Sequence, residues 1–323
     1  MYEFIYLMKA VASCLVMNSH FDGIWPISAL ATGGSIGNCL FFVATGFLLA
    51  NIKQPFATWY GKKLMRLYPA IVLITAISIP FRMIFGNGIT LWGQYGIIAE
   101  FLIAANYWFL QALIFLYIPY YFVMRTNARK HLPLIGIVVC TIYFVCYFAF
   151  KDIHVWTIED ATRFKWIFYF GIILIGGRYS QKIRDGKKVH SIVRSGITAA
   201  ISFIMFYGFK FVLDKFTAIM PLQFVEHILL AIFTYEIFAF LLSIEPMLRE
   251  CAIKWWWKPV KFISSITLEI FLVMDYAIEI FEKLSFPVSL VVTVIAVWSS
   301  AWILHIIQNP ISKKLSGMVS ERR

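Results

Sequence analysis

The sequence predicts an all-α integral membrane protein, built as a bundle of about ten transmembrane helices. Hydrophobic residues make up 61% of the 323-residue chain and charged residues only 14%, whereas soluble domains average about 45–50% apolar and about 25% charged residues. Several apolar runs reach the roughly 20 residues that a helix needs to span a bilayer. These runs are continuous rather than alternating, which favours helices over a closed barrel, the other structure that satisfies its backbone groups in lipid.

The predicted spans fill the chain and leave no room for an appended soluble domain, so we expect one membrane domain over residues 1–323. The spans cover residues 4–22, 34–52, 66–86, 107–124, 132–150, 165–180, 193–213, 223–243, 259–282 and 286–307. A short apolar piece at residues 95–105 precedes the fourth span and is either re-entrant or interfacial. If it is a span, the total becomes eleven.

The distribution of lysine and arginine predicts the orientation of the bundle. Basic residues cluster after spans two, four, six and eight and in the C-terminal tail, whereas the connection after span three contains none. Because loops rich in Lys and Arg stay in the cytoplasm, both termini are expected to be cytoplasmic. The net charge of +12 is then explained by topology and anionic lipid headgroups, so we expect no nucleic-acid partner. The five cysteines are scattered without a Cys/His metal-ligand spacing, and we expect no metal.

Lys9 and His20 lie near the two ends of residues 4–21, an otherwise apolar stretch of the first predicted span. They are eleven residues apart, so on an α-helix they share one face at roughly 16 Å along the axis. Ionisable groups within a membrane are costly and are candidates for function. The alternative is that Lys9 snorkels to the inner interface and His20 lies in the outer headgroup layer. The spacing by itself leaves both interpretations open.

Two further blocks follow. Gly-Gly-Ser-Ile-Gly at residues 33–37 opens the second span, which continues with Phe-Phe-Val-Ala-Thr-Gly-Phe-Leu at residues 41–48. The glycines are sufficiently explained by close helix packing. Lys63 and Arg66 are three apart and share a helix face, although basic residues at this boundary are also explained by topology. Pro69 is expected in the first turn of span three, where its missing N–H costs little.

Other ionisable residues fall inside or near later spans. Arg82 lies near the outer end of span three, Glu226 begins span eight, and Glu269 lies in span nine. Each either lines a substrate cavity or forms an internal ion pair or hydrogen bond, and we favour internal pairing for Arg82 and Glu226. His190 and His305 are not expected to be catalytic.

These blocks together resemble the membrane-bound acyltransferase-3 family. Lys9 and His20 match a basic residue followed by ten residues and a histidine, and residues 41–48 match Phe-Phe-x-x-Ser-Gly-Phe-Leu. Residues 63–69 match basic-x-x-Arg-x-Tyr-Pro. Residues 263–272 are similar to a late family block, Ser-x-x-Ile-Tyr-Leu-x-His. The blocks occur in the family order across nearly the whole chain.

The chain also departs from the family pattern. Lys9 stands where Arg is more usual, which keeps the charge but loses the bidentate fork. Thr45 replaces a serine and keeps a hydroxyl. The histidine of the late block is missing, and Met274 and Asp275 occupy its neighbourhood, so no catalytic role is assigned there.

Family members commonly O-acetylate surface glycans. The resemblance therefore implies a multi-pass enzyme of a bacterial inner or plasma membrane, which moves acetyl from cytoplasmic acetyl-CoA to a hydroxyl of an extracytoplasmic or membrane-linked glycan. The expected partners are a glycan or glycolipid acceptor and membrane lipids. The expected catalytic residues are His20, as general base or acyl carrier, and Lys9, which shares its helix face and either neutralises the donor or orients a polar network. Lys63 and Arg66 are expected on the donor phosphates. The candidates for the substrate pocket are Thr45, Arg82, Glu226 and Glu269.

A different class of function also suits ten spans with buried charges. A transporter or flippase for a glycan or lipid intermediate carries similar groups near the membrane midplane. The two are distinguished by chemistry, because only a transferase consumes an acyl donor. A structural subunit of an envelope assembly is a third alternative, and in that case His20 would be dispensable.

Overall fold

A computed structural model of the chain describes residues 2–85, 89–93, 96–160, 163–187 and 191–321. The structure is 81% helix, with no strand in the part of the chain that it describes. The predicted all-α class is therefore confirmed. The apolar piece at residues 95–105 begins outside the described residues, where Lys188, His190 and the last two arginines also lie.

Thirteen α-helices are formed by the described residues. In chain order they are α1 (Glu3–Ser19), α2 (Gly34–Leu49), α3 (Phe56–Phe85), α4 (Ile97–Ile103), α5 (Trp108–Arg125), α6 (Leu132–Phe150), α7 (Lys165–Arg184), α8 (Ile192–Lys215), α9 (Phe224–Ser243), α10 (Glu245–Cys251), α11 (Lys258–Ser265), α12 (Thr267–Phe281) and α13 (Val288–Glu321).

Seven segments within the described residues are long and apolar enough to cross a membrane. They are Ser28–Leu49, Phe56–Ile84, Trp108–Arg125, Asn127–Phe150, Ile192–Lys215, Phe224–Ser243 and Val288–Val319. The other three predicted spans correspond to α1 with 17 residues, α12 with 15 residues and α7, whose last two turns carry several charges. A total of ten spans therefore stays a prediction, as does the cytoplasmic position of both termini.

The chain divides into two compact units that alternate along the sequence. The first unit comprises Met1–Ala12, Ser35–Ile52 and Phe122–Lys261, and the second comprises Ser13–Gly34, Lys53–Tyr121 and Phe262–Arg323. The expectation of one membrane domain over residues 1–323 stays a prediction.

In the first unit, glycines bring α2 and α7 into close contact. A Cβ atom added to Gly46 would overlap the carbonyl oxygen of Ile173, and one added to Gly176 would overlap the carbonyl oxygen of Val43. Beside this crossing, the rings of Phe42 and Tyr169 stack with centroids 4.5 Å apart. Elsewhere in the unit α6 packs on α7, and α9 packs on both α7 and α8. The glycine of the Phe-Phe block therefore serves backbone approach, as small residues do between membrane helices.

In the second unit, α13 packs along α3 and α12. Helix α3 begins at Phe56, ten residues before the predicted start of the third span, so the prediction that Pro69 lies in a first turn is wrong. Inside a helix, proline has no N–H for the carbonyl four residues earlier, here that of Met65. The Ser312 hydroxyl of α13 lies 3.1 Å from that oxygen and 3.1 Å from the carbonyl oxygen of Arg66, and it donates to them. A side chain thus replaces the missing backbone donor and links the two helices.

The glycine crossing leads to a stability prediction. Gly46→Ala should destabilise the fold by about 1–3 kcal/mol, because the new methyl group can be accommodated only if the α2 and α7 backbones separate. Gly208→Ala is the control, since a Cβ on this helical glycine meets nothing within 4 Å and alanine favours the helix. The measurement is thermal unfolding of both purified variants in detergent. Equal unfolding midpoints for Gly46→Ala and wild type would contradict the packing role.

Candidate functional site

His20 is the first residue after α1, and it faces a carboxylate. Its Nδ1 atom lies 3.2 Å from Oδ1 of Asp275 on α12, and the two side chains are 38% and 59% exposed. A carboxylate on Nδ1 fixes the orientation of the ring and leaves Nε2 as the opposite nitrogen. The sequence singled out His20 but assigned no catalytic role to Asp275.

The connection after α1 is held by Asn18. Its Nδ2 donates to the carbonyl oxygens of Leu30 at 2.7 Å and Thr32 at 3.0 Å, and its Oδ1 accepts from Trp25 Nε1 at 3.0 Å. The Asn18 side chain therefore links the end of α1 to Trp25, Leu30 and Thr32 of the connection that follows. His20 lies only two residues beyond Asn18, so these hydrogen bonds restrict where the imidazole can move.

Helix α12 also carries the carboxylate of a second histidine–carboxylate pair. Glu269 of α12 is buried, and its Oε1 is 2.6 Å from His305 Nδ1 and 2.6 Å from Gln308 Nε2, both on α13. Asp275 follows Glu269 by six residues, which is roughly 9 Å along a helix. The sequence predicts Glu269 as a candidate for the substrate pocket and no catalytic role for His305. Their contact was not predicted, because the two residues are 36 positions apart in the chain.

Lys63 and Arg66 lie inside α3, in its second and third turns from Phe56. Lys63 Nζ is 5.7 Å from the centre of the Trp59 ring, close enough for a cation–π contact. The Arg66 side chain is exposed, and its carbonyl oxygen is among those that Ser312 contacts. The two cations are therefore carried by a stretch of helix that α13 holds in place.

Arg82 forms an internal ion pair. Its Nη2 is 2.6 Å from Oε2 of Glu100, a fully buried residue of α4. Asn106 donates to the same oxygen at 2.6 Å, and Thr75 donates to Oε1 at 3.2 Å. This is the kind of pairing that the sequence favoured for Arg82. The partner was missed, because Glu100 lies in the short piece treated only as apolar.

Lys9 and Thr45 are placed in the first unit. Both are half-buried, Lys9 on α1 and Thr45 on α2 one residue before Gly46.

Among the described residues, no cluster of three or more His, Cys, Asp or Glu side chains could hold a metal ion.

Glu226 belongs to a buried polar cluster in the first unit. It lies fully buried in the first turn of α9, next to His227. The Nδ1 atom of His227 is 2.6 Å from the Tyr143 hydroxyl, and its ring stacks on Phe168 with centroids 4.3 Å apart. The charges of Glu159, Lys165 and Lys210 act on Glu226.

Glu159, between α6 and α7, is the ionised centre of that cluster. Lys210 pairs with its carboxylate, Ser35 donates to Oε1 at 2.7 Å, and Lys165 donates to its carbonyl oxygen at 2.9 Å. Burial favours the neutral acid, but the charge and hydrogen bond of Lys210, with the charge of Lys165 and the Ser35 hydroxyl, lower the pKa of the Glu159 carboxyl from 4.5 to about 2.

This low pKa predicts an acid-sensitive fold. Because the pKa of Glu159 is lower in the folded state, its stabilisation is complete above pH 4.5 and is lost as the pH falls towards 2. Between pH 6 and pH 3 the loss is about 2 kcal/mol by proton linkage. Glu159→Gln should therefore unfold with a shallower pH dependence than wild type over this range.

Asp160→Asn is the matched control for this measurement, since Asp160 pairs with Lys151 at 3.3 Å and its side chain is 43% exposed. Its unfolding midpoint should follow the wild-type pH dependence. If Glu159→Gln also followed it, the proposed charge cluster would not contribute to stability.

The fold and the polar pairs define a helical membrane protein with histidine–carboxylate pairs in its second unit. A family model described as an acyltransferase domain, that of the acyltransferase-3 family, matches residues 2–307. The chain therefore belongs to this family of membrane acyltransferases, which confirms the resemblance drawn from the four sequence blocks. No match was found among curated proteins or among solved structures.

Proposed function

We propose that the protein is a membrane-embedded O-acyltransferase, which moves acetyl from cytoplasmic acetyl-CoA to a hydroxyl of an extracytoplasmic or membrane-linked glycan in a bacterial inner or plasma membrane. The observation that carries the proposal is the contact between His20 and Asp275 in a chain of the acyltransferase-3 family. An imidazole held by a carboxylate is the arrangement that many acyl-transfer enzymes use to activate a hydroxyl group.

In the proposed reaction, His20 Nε2 takes the proton of the acceptor hydroxyl as its oxygen forms a bond to the thioester carbonyl carbon. The carbon–sulfur bond breaks, and the coenzyme leaves as a thiolate that regains a proton from the His20 imidazolium or from water. Asp275 holds Nδ1–H during the step and stabilises the imidazolium, but it stays ionised itself. The products are an O-acetyl ester and the free thiol of the coenzyme.

Lys63 and Arg66 are proposed to hold the donor phosphates. They share one face of α3, and the preceding connection is one of those that basic residues predict to be cytoplasmic. Guanidinium and ammonium groups suit phosphate through charge-assisted hydrogen bonds. Lys9, on α1, would add positive charge or orient polar groups.

The remaining candidates divide by their surroundings. Arg82 and Glu269 are engaged in internal pairs, so we propose that they act on the substrate pocket through the helix packing that they maintain. We propose that the Thr45 hydroxyl donates a hydrogen bond in the substrate pocket. Glu226 is proposed to maintain the polar interior of the first unit.

The catalytic assignment is tested with His20→Ala and Asp275→Asn. Loss of the base should lower transfer by about 10²–10⁴-fold. Asp275→Asn should lower kcat by about 10- to 10³-fold, because the imidazole stays but loses its orienting carboxylate. The measurement is transfer of labelled acetyl from acetyl-CoA to glycan in membranes with equal amounts of each variant.

His154→Ala, at an exposed histidine between α6 and α7, is the control and should keep wild-type activity. Full activity in His20→Ala would rule out the base. If wild-type membranes consumed no donor when several candidate acceptors were supplied, the transferase proposal itself would be contradicted.

The donor site is tested with Arg66→Gln and Lys63→Gln. Each lost charge-assisted hydrogen bond should raise the KM for acetyl-CoA by about 10-fold or more, with kcat at saturating donor largely retained. Lys53→Gln, at an exposed lysine before α3, is the control and should leave KM unchanged. An unchanged KM in both test variants would show that Lys63 and Arg66 do not bind the donor, and their positive charge would then be explained by membrane topology alone.

A further inference from the structure

A groove opens on the surface of the first unit, between α6 and α7, with α9 at its base. Its volume is about 550 Å³, within the roughly 300–1,000 Å³ that is usual for ligand sites. Most of its wall is apolar and includes Ile137, Phe144, Ile172 and Ile175. The neighbouring face of α6 exposes further aliphatic side chains, as expected of a helix that contacts lipid. The groove therefore offers an apolar ligand a continuous surface along two helices.

Positive charge is confined to one end of the groove. Arg178 and Lys182, one turn apart on α7, line that end, and they are the charged residues among the described ones that line the groove. The adjacent turn Asn127–His131 adds Arg129 and Lys130, and Gln181 anchors it by donating to the Arg129 carbonyl oxygen at 2.9 Å. By the distribution of basic residues, this is the end of α7 expected at the cytoplasmic interface.

Lys182 is held at the groove rather than extended into solvent. Its Nζ donates to the Tyr235 hydroxyl at 3.0 Å and lies 5.2 Å from the centre of the Tyr179 ring. An ammonium group has three donors, so an anion beside it can still be bound after Tyr235 is satisfied. Arg178, half-buried one turn earlier, offers the planar fork that suits a phosphate.

Two glycines give the groove its depth. A Cβ on Gly136 would meet nothing within 4 Å, and one on Gly171 would find its nearest neighbours at 3.8 Å. Neither position is needed for close helix approach, in contrast to Gly46 and Gly176. A larger side chain at Gly136 would therefore fill the groove and leave the helix contacts intact.

We propose that this groove binds an anionic membrane phospholipid, with one acyl chain between α6 and α7 and its phosphate on Arg178 and Lys182. The shape of the wall selects a chain, and the position of the charges selects an anionic headgroup at one end. A zwitterionic lipid offers the same chain and phosphate, but its choline cation would be repelled by four basic side chains. The site is separate from the proposed transfer reaction and does not depend on it.

The test is binding of phosphatidylglycerol and phosphatidylcholine, with identical acyl chains, to the delipidated full-length protein in detergent, followed by native mass spectrometry. Wild type should bind phosphatidylglycerol at least about tenfold more tightly, as expected for charge-assisted contacts. Arg178→Gln with Lys182→Gln should lose this preference. Gly136→Phe should weaken the binding of both lipids, because the phenylalanine side chain would fill the groove. Lys313→Gln with Lys314→Gln, at exposed lysines of α13, should behave as wild type.

A photoactivatable phosphatidylglycerol with a diazirine in its acyl chain locates the bound lipid and needs only the wild-type protein. Cross-links on Ile137 and Ile172 should be competed by unlabelled phosphatidylglycerol more strongly than by phosphatidylcholine. Cross-links on exposed Ile201 and Ile204 of α8 should be competed equally by both lipids. Equal competition at both places, or a wild type without preference, would overturn the proposal. Displacement of the lipid by acetyl-CoA would also overturn it, by assigning the groove to the donor.

Discussion

A carboxylate buried among apolar helices must be paired, and much of this structure follows from that constraint. An unpaired buried charge costs several kcal/mol even after relaxation, and water is not present in a bilayer to provide a substitute partner. Two of the most buried carboxylates, Glu100 and Glu269, therefore each link two helices of the same unit. Glu100 joins α4 to α3 through Arg82, and Glu269 joins α12 to α13 through His305.

At the start of α1, a buried carboxylate finds its partners in the free N–H groups of the helix end and so caps the helix. The first N–H groups of a helix lack intrahelical partners, and a negative charge near them is favourable. Glu245 of α10 accepts from the backbone N–H of Glu3 at 3.2 Å and of Phe4 at 2.9 Å, and Arg249 donates to it at 2.8 Å. Glu3 in turn accepts from Trp257 Nε1 at 2.8 Å. The first turn of α1 is thus fixed to α10 within the first unit.

Sequence patterns gave the helical class and the family, because both depend on local features: apolar runs and short blocks of residues. They did not give the partners Glu100 and His305, since these contacts join residues 18 and 36 positions apart. Helical periodicity reports only on neighbours three or four residues away. The sequence predicts Pro69 in a first turn for a related reason, because proline is favoured at the start of a helix. Inside α3 it is tolerated because Ser312, 247 residues from Met65, supplies the donor.

Two of the helices that carry candidate residues are not among the seven segments that are long and apolar enough to cross a membrane. Helix α1 carries Lys9, and α12 carries Glu269 and Asp275, and both are shorter than the seven apolar segments. Their length is the reason, because α1 has 17 residues and α12 has 15, fewer than the roughly 20 that a helix needs to cross a bilayer. Among the other candidates, Thr45, Arg82 and Glu226 lie on segments that are long and apolar enough.

The exposure of the His20–Asp275 pair bears on which role the histidine takes. As an acyl carrier, His20 would form an acyl-imidazole, and such a reactive intermediate must be protected from water. The imidazole is 38% exposed and its carboxylate partner 59% exposed, so little in the second unit shields such an intermediate. A general base needs no such protection, since it exchanges only a proton and works best with a neutral imidazole held by a carboxylate. In the proposed reaction, the exposure of the pair therefore favours direct transfer, with His20 as the base, over an acylated histidine.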